Sequence, residues 1–232
     1  MTTIAGRAAL AAEYKARGIV RIASFLPHER ATELHRELRS RNDWVQVFNS
    51  GDKLFELDRE TRSTLDLERK TELDQAIYAG AREGFQYRYE TIRVPDEEDA
   101  RKTSDDPLAG LALDLSSGDT RDLLRSITGA SDIRFADAQA TAFSPSDFLT
   151  GHDDRFPGKD RRAAYVISLT PIWRIEWGGL LIMHGDEESG SRAYAPLMNV
   201  LTLFRVPQMH SVSEISRAAP YRRYSITGWL RA

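Results

Sequence analysis

RYSITGWL (223–230) alternates Arg223, Ser225 and Thr227 with Tyr224, Ile226 and Gly228. A period of two is that of a β-strand, whose successive side chains point to opposite faces. Arg223 and Ser225 therefore share a face, and a guanidinium beside a hydroxyl is a good seat for a carboxylate. An arginine on the inner face of a sheet needs such an anion, because burying an unpaired cation is costly. Four earlier runs have the same β-rich character: RFADAQATAF (134–143), AAYVISLT (163–170), GGLLIM (178–183) and NVLTLFRV (199–206). Pro and Gly separate them and no helical period intervenes, which predicts a sandwich or barrel for the second half.

The first half reads as mostly helical. Residues 6–17 form a helix that ends at Gly18, and IVRIASFL (19–26) alternates as a short strand would. Pro27 opens HERATELHRELRS with Ala31, Leu34 and Leu38 at helical spacing. WVQVF (44–48) and FQYRYETIRV (85–94) read as strands, and residues 66–83 as an amphipathic helix with Leu67, Leu73, Ile77 and Ala81. PDEEDARKTSDDP (95–107), polar and closed by Pro at both ends, predicts a mobile loop able to act as a lid, with a helix at 119–128 after it. The fold class is thus α+β, in one domain over 1–232: a helical flank with supporting strands to 130, and a β-core from 131 to 232.

The composition closes several routes. The 232 residues carry 32 Lys+Arg against 35 Asp+Glu, a net charge of -3, which gives no global reason to bind nucleic acid or a membrane surface. No apolar run has the length of a membrane span. The Ala-rich start is interrupted by Glu13, Lys15 and Arg17, unlike the apolar core of a signal peptide, so a cytoplasmic protein is expected. With no Cys there is no thiolate zinc site, iron–sulfur cluster or Cys nucleophile, and any metal must sit on His, Asp or Glu.

His152 and Asp154 form an H-x-D pair in GHDD (151–154), which in extended chain places an imidazole and a carboxylate on one side. Two His and one carboxylate make the facial triad of non-haem Fe(II) oxygenases, with the remaining positions open. The third ligand must come from a later strand. His184, between GGLLIM and the turn GDEESG, and His210, after NVLTLFRV, are the candidates; Arg223-x-Ser225 thirteen residues on favours His210. His28 and His35 read as surface residues of the second helix. Arg155, Lys159, Arg161 and Arg162 read as a solvated basic loop, and Trp173 and Trp177 as packing.

In the order H-x-D, H, R-x-S the sequence resembles the Fe(II)/2-oxoglutarate-dependent dioxygenases of the prolyl hydroxylase superfamily. GHDD, RRAAYVISLTP (161–171), WGGLLIM (177–183), Pro196 with NVLTLF (199–204), HSVSEI (210–215) and RRYSITGWL (222–230) look like the ribosomal prolyl hydroxylases of fungi and animals and their bacterial relatives. The resemblance implies a double-stranded β-helix, or jelly-roll. It also implies iron ligands His152, Asp154 and His210, and 2-oxoglutarate held at its distal carboxylate by Arg223 and Ser225, with Tyr165 beside it. Ascorbate is implied as an accessory. The activity implied is prolyl hydroxylation of a protein or peptide, a ribosomal protein among the candidates, with oxidative decarboxylation of 2-oxoglutarate to succinate and carbon dioxide. A free amino acid or small metabolite stays open as substrate. Asp154 favours hydroxylation, since related halogenases replace this carboxylate. Phe143 stands near the place where these enzymes often have a tyrosine that reaches 2-oxoglutarate. The rival readings are a cupin-type metalloenzyme without 2-oxoglutarate and a non-catalytic binding module on a degenerate barrel.

Overall fold

Alternation sorts the side chains of the second half onto two faces, and the chain rolls around one of them. A computed structural model describes residues 4–186 and 190–232. The first half runs α1 (Ile4–Arg17), β1 (Ile19–Ala23), α2 (His28–Ser40), β2 (Val45–Ser50), β3 (Lys53–Leu57), α3 (Arg59–Thr64), α4 (Leu67–Glu83), β4 (Tyr87–Arg93), α5 (Glu98–Lys102), α6 (Pro107–Ser116) and α7 (Gly118–Thr128). The second half runs β5 (Phe135–Ala136), β6 (Gln139–Phe143), β7 (Phe148–His152), β8 (Arg161–Ser168), a 3-10 turn (Ile175–Trp177), β9 (Leu181–Met183), β10 (Arg192–Tyr194), β11 (Val200–Arg205), β12 (His210–Val212) and β13 (Arg223–Arg231).

One antiparallel sheet passes through the order β1-β11-β8-β13-β6-β4-β7-β12-β9-β10 and curls on itself, giving the jelly-roll of the expected α+β class. The pivot is β4. Its C-terminal half pairs with β6 (Glu90 opposite Ala142), its first two residues pair with β7 (Tyr87 opposite Leu149), and β2 holds its other edge. The sheet thus splits into two layers that share a strand. The division into flank and core at residue 130 is softer than the sequence suggests, because β1, β2 and β4 belong to this same sheet.

The outer face is covered by helices. Ala31, Leu34 and Leu38 of α2, Leu108, Leu111 and Leu115 of α6, and Leu124 and Ile127 of α7 form one core with Ala163, Ile167, Leu201, Leu203, Tyr224, Ile226 and Leu230. Neighbours of opposite parity, Ala164, Val166 and Phe204, pack inside the roll with Ile19, Leu181 and Met183. This is the period of two read from the sequence, and it leaves Arg223, Ser225 and Thr227 facing inward.

Two local expectations are corrected, and one helix is added. Residues 95–107 are not a free loop: they contain α5, and Arg101 is buried at 1% exposure, donating to the carbonyls of Pro95 and, at 3.0 Å, Ala136, with Phe135 under its guanidinium. The helix α6 escapes a search for amphipathic period because PLAGLALDLS is apolar on nearly every side, although Asp106 as cap and Pro107 behind it mark its start. His35 is not a surface residue; its Nδ1 lies 2.7 Å from the carbonyl of Leu169 and its ring edges against Tyr224. No helix among the described residues is long and apolar enough to cross a membrane.

Arg101→Met keeps the apolar stem but leaves two buried carbonyls without donors. It is expected to destabilise the fold by about 2–4 kcal/mol in urea titrations. Loss of less than about 0.5 kcal/mol would show that α5 is not pinned in solution.

Candidate active site

His152 ends β7 and His210 begins β12, and the two residues are directly opposite each other in the antiparallel pair. Cross-strand partners bring their side chains together on one face, and here the ring centroids are 4.1 Å apart. After His152 the chain leaves the strand, and Asp154 adopts φ +62°, a left-handed conformation that Asp tolerates better than most residues. That turn returns its carboxylate to the two rings. Oδ1 lies 3.3 Å from His152 Nε2 and Oδ2 lies 3.5 Å from His210 Nε2. The backbone is held there by Arg161, whose Nη1 donates to the Asp154 carbonyl at 2.7 Å while its guanidinium stacks 3.6 Å from the Trp229 ring.

Each imidazole is oriented from behind. His152 Nδ1 is 3.1 Å from the Thr150 carbonyl and His210 Nδ1 is 2.8 Å from that of Gln208. A carbonyl at Nδ1 fixes the proton there and leaves the Nε2 lone pair free. Burial, helped by the neighbouring His152, pushes His210 down to about 4, so this ring is neutral at physiological pH. Burial works against the Asp154 carboxylate, but the adjacent His152 and His210 hold it below the ordinary carboxylate value. One carboxylate oxygen and two imidazole nitrogens, all within 4.8 Å of one another, are a donor set for a divalent transition metal. The residues fit Fe(II).

The triad opens into a cavity of about 400 Å³ that extends to Arg223 and is lined between by Tyr89, Gln139, Thr141 and Phe143. Arg223 is 2% exposed, with its guanidinium 5.0 Å from the centroid of Phe143. No carboxylate among the described residues pairs with it. Its Nε and the fully buried Ser225 Oγ have no hydrogen-bond partner among the described residues. Burial alone lowers the guanidinium to about 10, which leaves it charged. Space for it is made by Gly179, at φ +62°, where a Cβ would come within 3.1 Å of Arg223 Cδ and 2.3 Å of Ile215 Cδ1. A buried cation and an orphaned hydroxyl facing a cavity fit the distal carboxylate of a small dicarboxylic acid.

Tyr165 departs from expectation. It borders the cavity, but its side chain belongs to the helix-covered face of β8, and its hydroxyl donates to the Asp137 carbonyl at 2.5 Å. Gly228 is needed for that packing, since a Cβ there would meet the Asp137 oxygen at 2.0 Å. Tyr165 therefore has no free hydroxyl to offer a co-substrate. His184 lies outside the triad, with Nε2 2.8 Å from Ser211 Oγ; of the turn GDEESG after it, residues 187–189 lie outside the described residues. Three of the four cations after the triad are engaged internally: Arg155 with Asp153, Arg162 with Asp132, and Arg161 as above. Trp173 and Trp177 pack edge to face, with Trp173 Nε1 donating to the Gly178 carbonyl. Sequence reading missed Tyr89, Gln139 and Thr141. The signal was present in the alternation of β4 and β6, but the inner face of β4 is fixed only by its partners.

Residues 138–231 match the model of the 2OG-Fe(II) oxygenase superfamily. Among curated proteins it is similar to the prolyl 3-hydroxylase OGFOD1 of Xenopus laevis, 30% identical over 118 residues, covering 48% of this chain and 22% of that protein. The mouse prolyl 3-hydroxylase OGFOD1 is 27% identical over 152 residues, covering 62% and 27%. The matches thus span about a quarter of the length of these relatives. A prolyl-4-hydroxylase of Pseudomonas putida has the same fold, with a TM-score of 0.64 at 18% identity over 97% of this chain and 99% of that one.

Asp154→Asn retains a side chain that accepts a left-handed backbone and removes the anionic ligand. Affinity for Fe(II), or for Mn(II) as a spectroscopic substitute, is expected to fall roughly a hundredfold with the far-ultraviolet circular dichroism unchanged. Unaltered affinity would place the metal elsewhere.

Proposed function

We propose that the protein is an Fe(II)- and 2-oxoglutarate-dependent dioxygenase that hydroxylates a prolyl residue of a protein or peptide. The observation that carries this is a single cavity with His152, Asp154 and His210 at one end and a buried, unpaired Arg223 at the other. Fe(II) with 2-oxoglutarate, when bound, supplies oxidation of a C–H bond to C–OH by dioxygen, as the co-substrate loses carbon dioxide and becomes succinate.

The chain's own residues hold and shield. His152, Asp154 and His210 occupy one side of the metal and leave the cavity side open. Arg223 and Ser225 give the distal carboxylate a charge and two hydrogen-bonding groups in a dry environment, where such contacts are strongest. Phe143, Leu181, Phe204 and Val212 keep water from the interior wall. At the mouth, Phe85 and Phe156 are half-exposed, and Phe85 lies 5.4 Å from the His152 ring. An apolar rim suits a peptide segment carrying an uncharged ring better than a charged metabolite. A cupin-type enzyme without 2-oxoglutarate would leave Arg223 with no anion, which counts against that reading.

Further parts of the proposal are a ribosomal protein as substrate, ascorbate as accessory reductant and a cytoplasmic site of action. They are supported by the resemblance of the quoted stretches to ribosomal prolyl hydroxylases.

Anaerobic addition of Fe(II) and then 2-oxoglutarate is expected to give a metal-to-ligand charge-transfer band. Arg223→Ala is expected to need about a hundredfold more 2-oxoglutarate for the same band, the effect of removing a charged hydrogen-bonding partner. With oxygen and a proline-containing peptide, succinate and a peptide heavier by one oxygen atom should appear in equal amounts. Fe(II) binding without any band would reject the co-substrate.

A further inference from the structure

The cavity wall contains a ladder of ring contacts. The Arg223 guanidinium lies over Phe143; Phe143 stacks on Tyr89, with centroids 5.0 Å apart and planes 20° apart; Tyr89 contacts Tyr87 at 5.7 Å; Tyr87 contacts Phe85 at 5.5 Å; and Phe85 reaches His152. The ladder joins the cation at the closed end to a triad histidine at the other. Tyr89 is the third of these six groups and lines the cavity that holds both anchors.

Strand pairing explains how it arrives there. On β4, Glu90 is opposite Ala142 and Thr91 opposite Thr141, so the next position, Tyr89, falls beside Phe143. Phe143 has no hydroxyl, and the adjacent strand presents one. The side chain near the Tyr89 phenol is Gln139. The Gln139 carbonyl oxygen accepts from Thr91 Oγ1 at 3.3 Å, which leaves its amide N–H groups for other partners. Burial raises the phenol to about 12, so it remains a donor throughout the physiological range.

Phe143 separates Tyr89 from Arg223. A molecule anchored by its distal carboxylate at Arg223 therefore presents its hydrocarbon middle to Phe143 and its other end to Tyr89. We propose that the Tyr89 hydroxyl donates a hydrogen bond to the keto-acid end of bound 2-oxoglutarate and is a co-substrate-binding residue of this site. This rests on the co-substrate reading given above.

The test is an anaerobic titration of Fe(II)-loaded protein with 2-oxoglutarate, comparing wild type, Tyr89→Phe, and Tyr89→Phe combined with Phe143→Tyr. Tyr89→Phe keeps the stacked ring. It is expected to bind 2-oxoglutarate about tenfold more weakly, or about 1.4 kcal/mol. Its charge-transfer band should move to shorter wavelength, because loss of a donor raises the acceptor orbital of the keto group. Fe(II) affinity and Tm should stay at wild-type values, and the double variant should recover affinity by returning a hydroxyl to the same wall. Wild-type affinity and band position in Tyr89→Phe overturn the assignment. Equal weakening of Fe(II) binding and 2-oxoglutarate binding also overturns it, since the ring would then act through packing. A missing band in the wild type overturns the co-substrate reading itself, and this one with it.

Discussion

Arg223 holds a positive charge at the closed end of a barrel where water is excluded and no carboxylate among the described residues answers it. An uncompensated buried cation is among the more unfavourable features a fold can carry. A guanidinium bears this better than an ammonium, because its charge is spread and weakly hydrated and its flat face can lie over an aromatic ring. Phe143 provides that ring. A ligand that brings a carboxylate to Arg223 would complete the site, and a neutral molecule would leave the cation unanswered. Because such a ligand meets the cation only in the folded chain, its binding also stabilises the fold.

The metal end depends on register. His152 and His210 meet because β7 and β12 pair with these two residues in opposition, and a slip of one residue would turn one ring to the other face. The pairing is secured on both sides, by β4 against β7 and by β9 against β12, with Met183 opposite His210. β4 therefore does two things at once. It ties the layer that carries Arg223 to the layer that carries the triad, and its inner face supplies Tyr87 and Tyr89 to the wall between them.

Charged groups on the other face of β4 hold this strand in place. Glu90 is buried and takes Arg62 at 2.9 Å and Arg222, the residue before Arg223, on its two oxygens. Arg88 pairs with Asp74 and, at 3.2 Å, with Asp147, and donates to the Ser146 carbonyl, fixing the turn between β6 and β7. Burial pushes the Asp147 carboxyl up to about 7, against the opposing pull of the Ser144 N–H and Arg88. Neither network touches the cavity. Both fix the strands from which Arg223 and His152 extend, at the precision that oriented ligands require.

The strands of the second half, the inward phase of Arg223, Ser225 and Thr227, and the pattern of His152, Asp154 and His210 are legible in the chain before it folds. These depend on local periodicity and on residue types with few alternative chemical uses, so they survive in one dimension. The sequence also marked α1, α2, α4 and α7 through amphipathic spacing and punctuation by Gly and Pro. It could not reveal α6, which is apolar all round, or the burial of Arg101, whose partners are carbonyls that any residue could provide. The tertiary structure alone decided which face Tyr165 takes, because Ala163 and Ile167 of the same strand had to meet the helices. It alone brought Tyr89 beside Phe143, some fifty residues away in sequence, since cross-strand register is a property of two segments and is written in neither. The burial of Arg223, with no carboxylate among the described residues paired to it, likewise belongs to three dimensions, where distant segments meet.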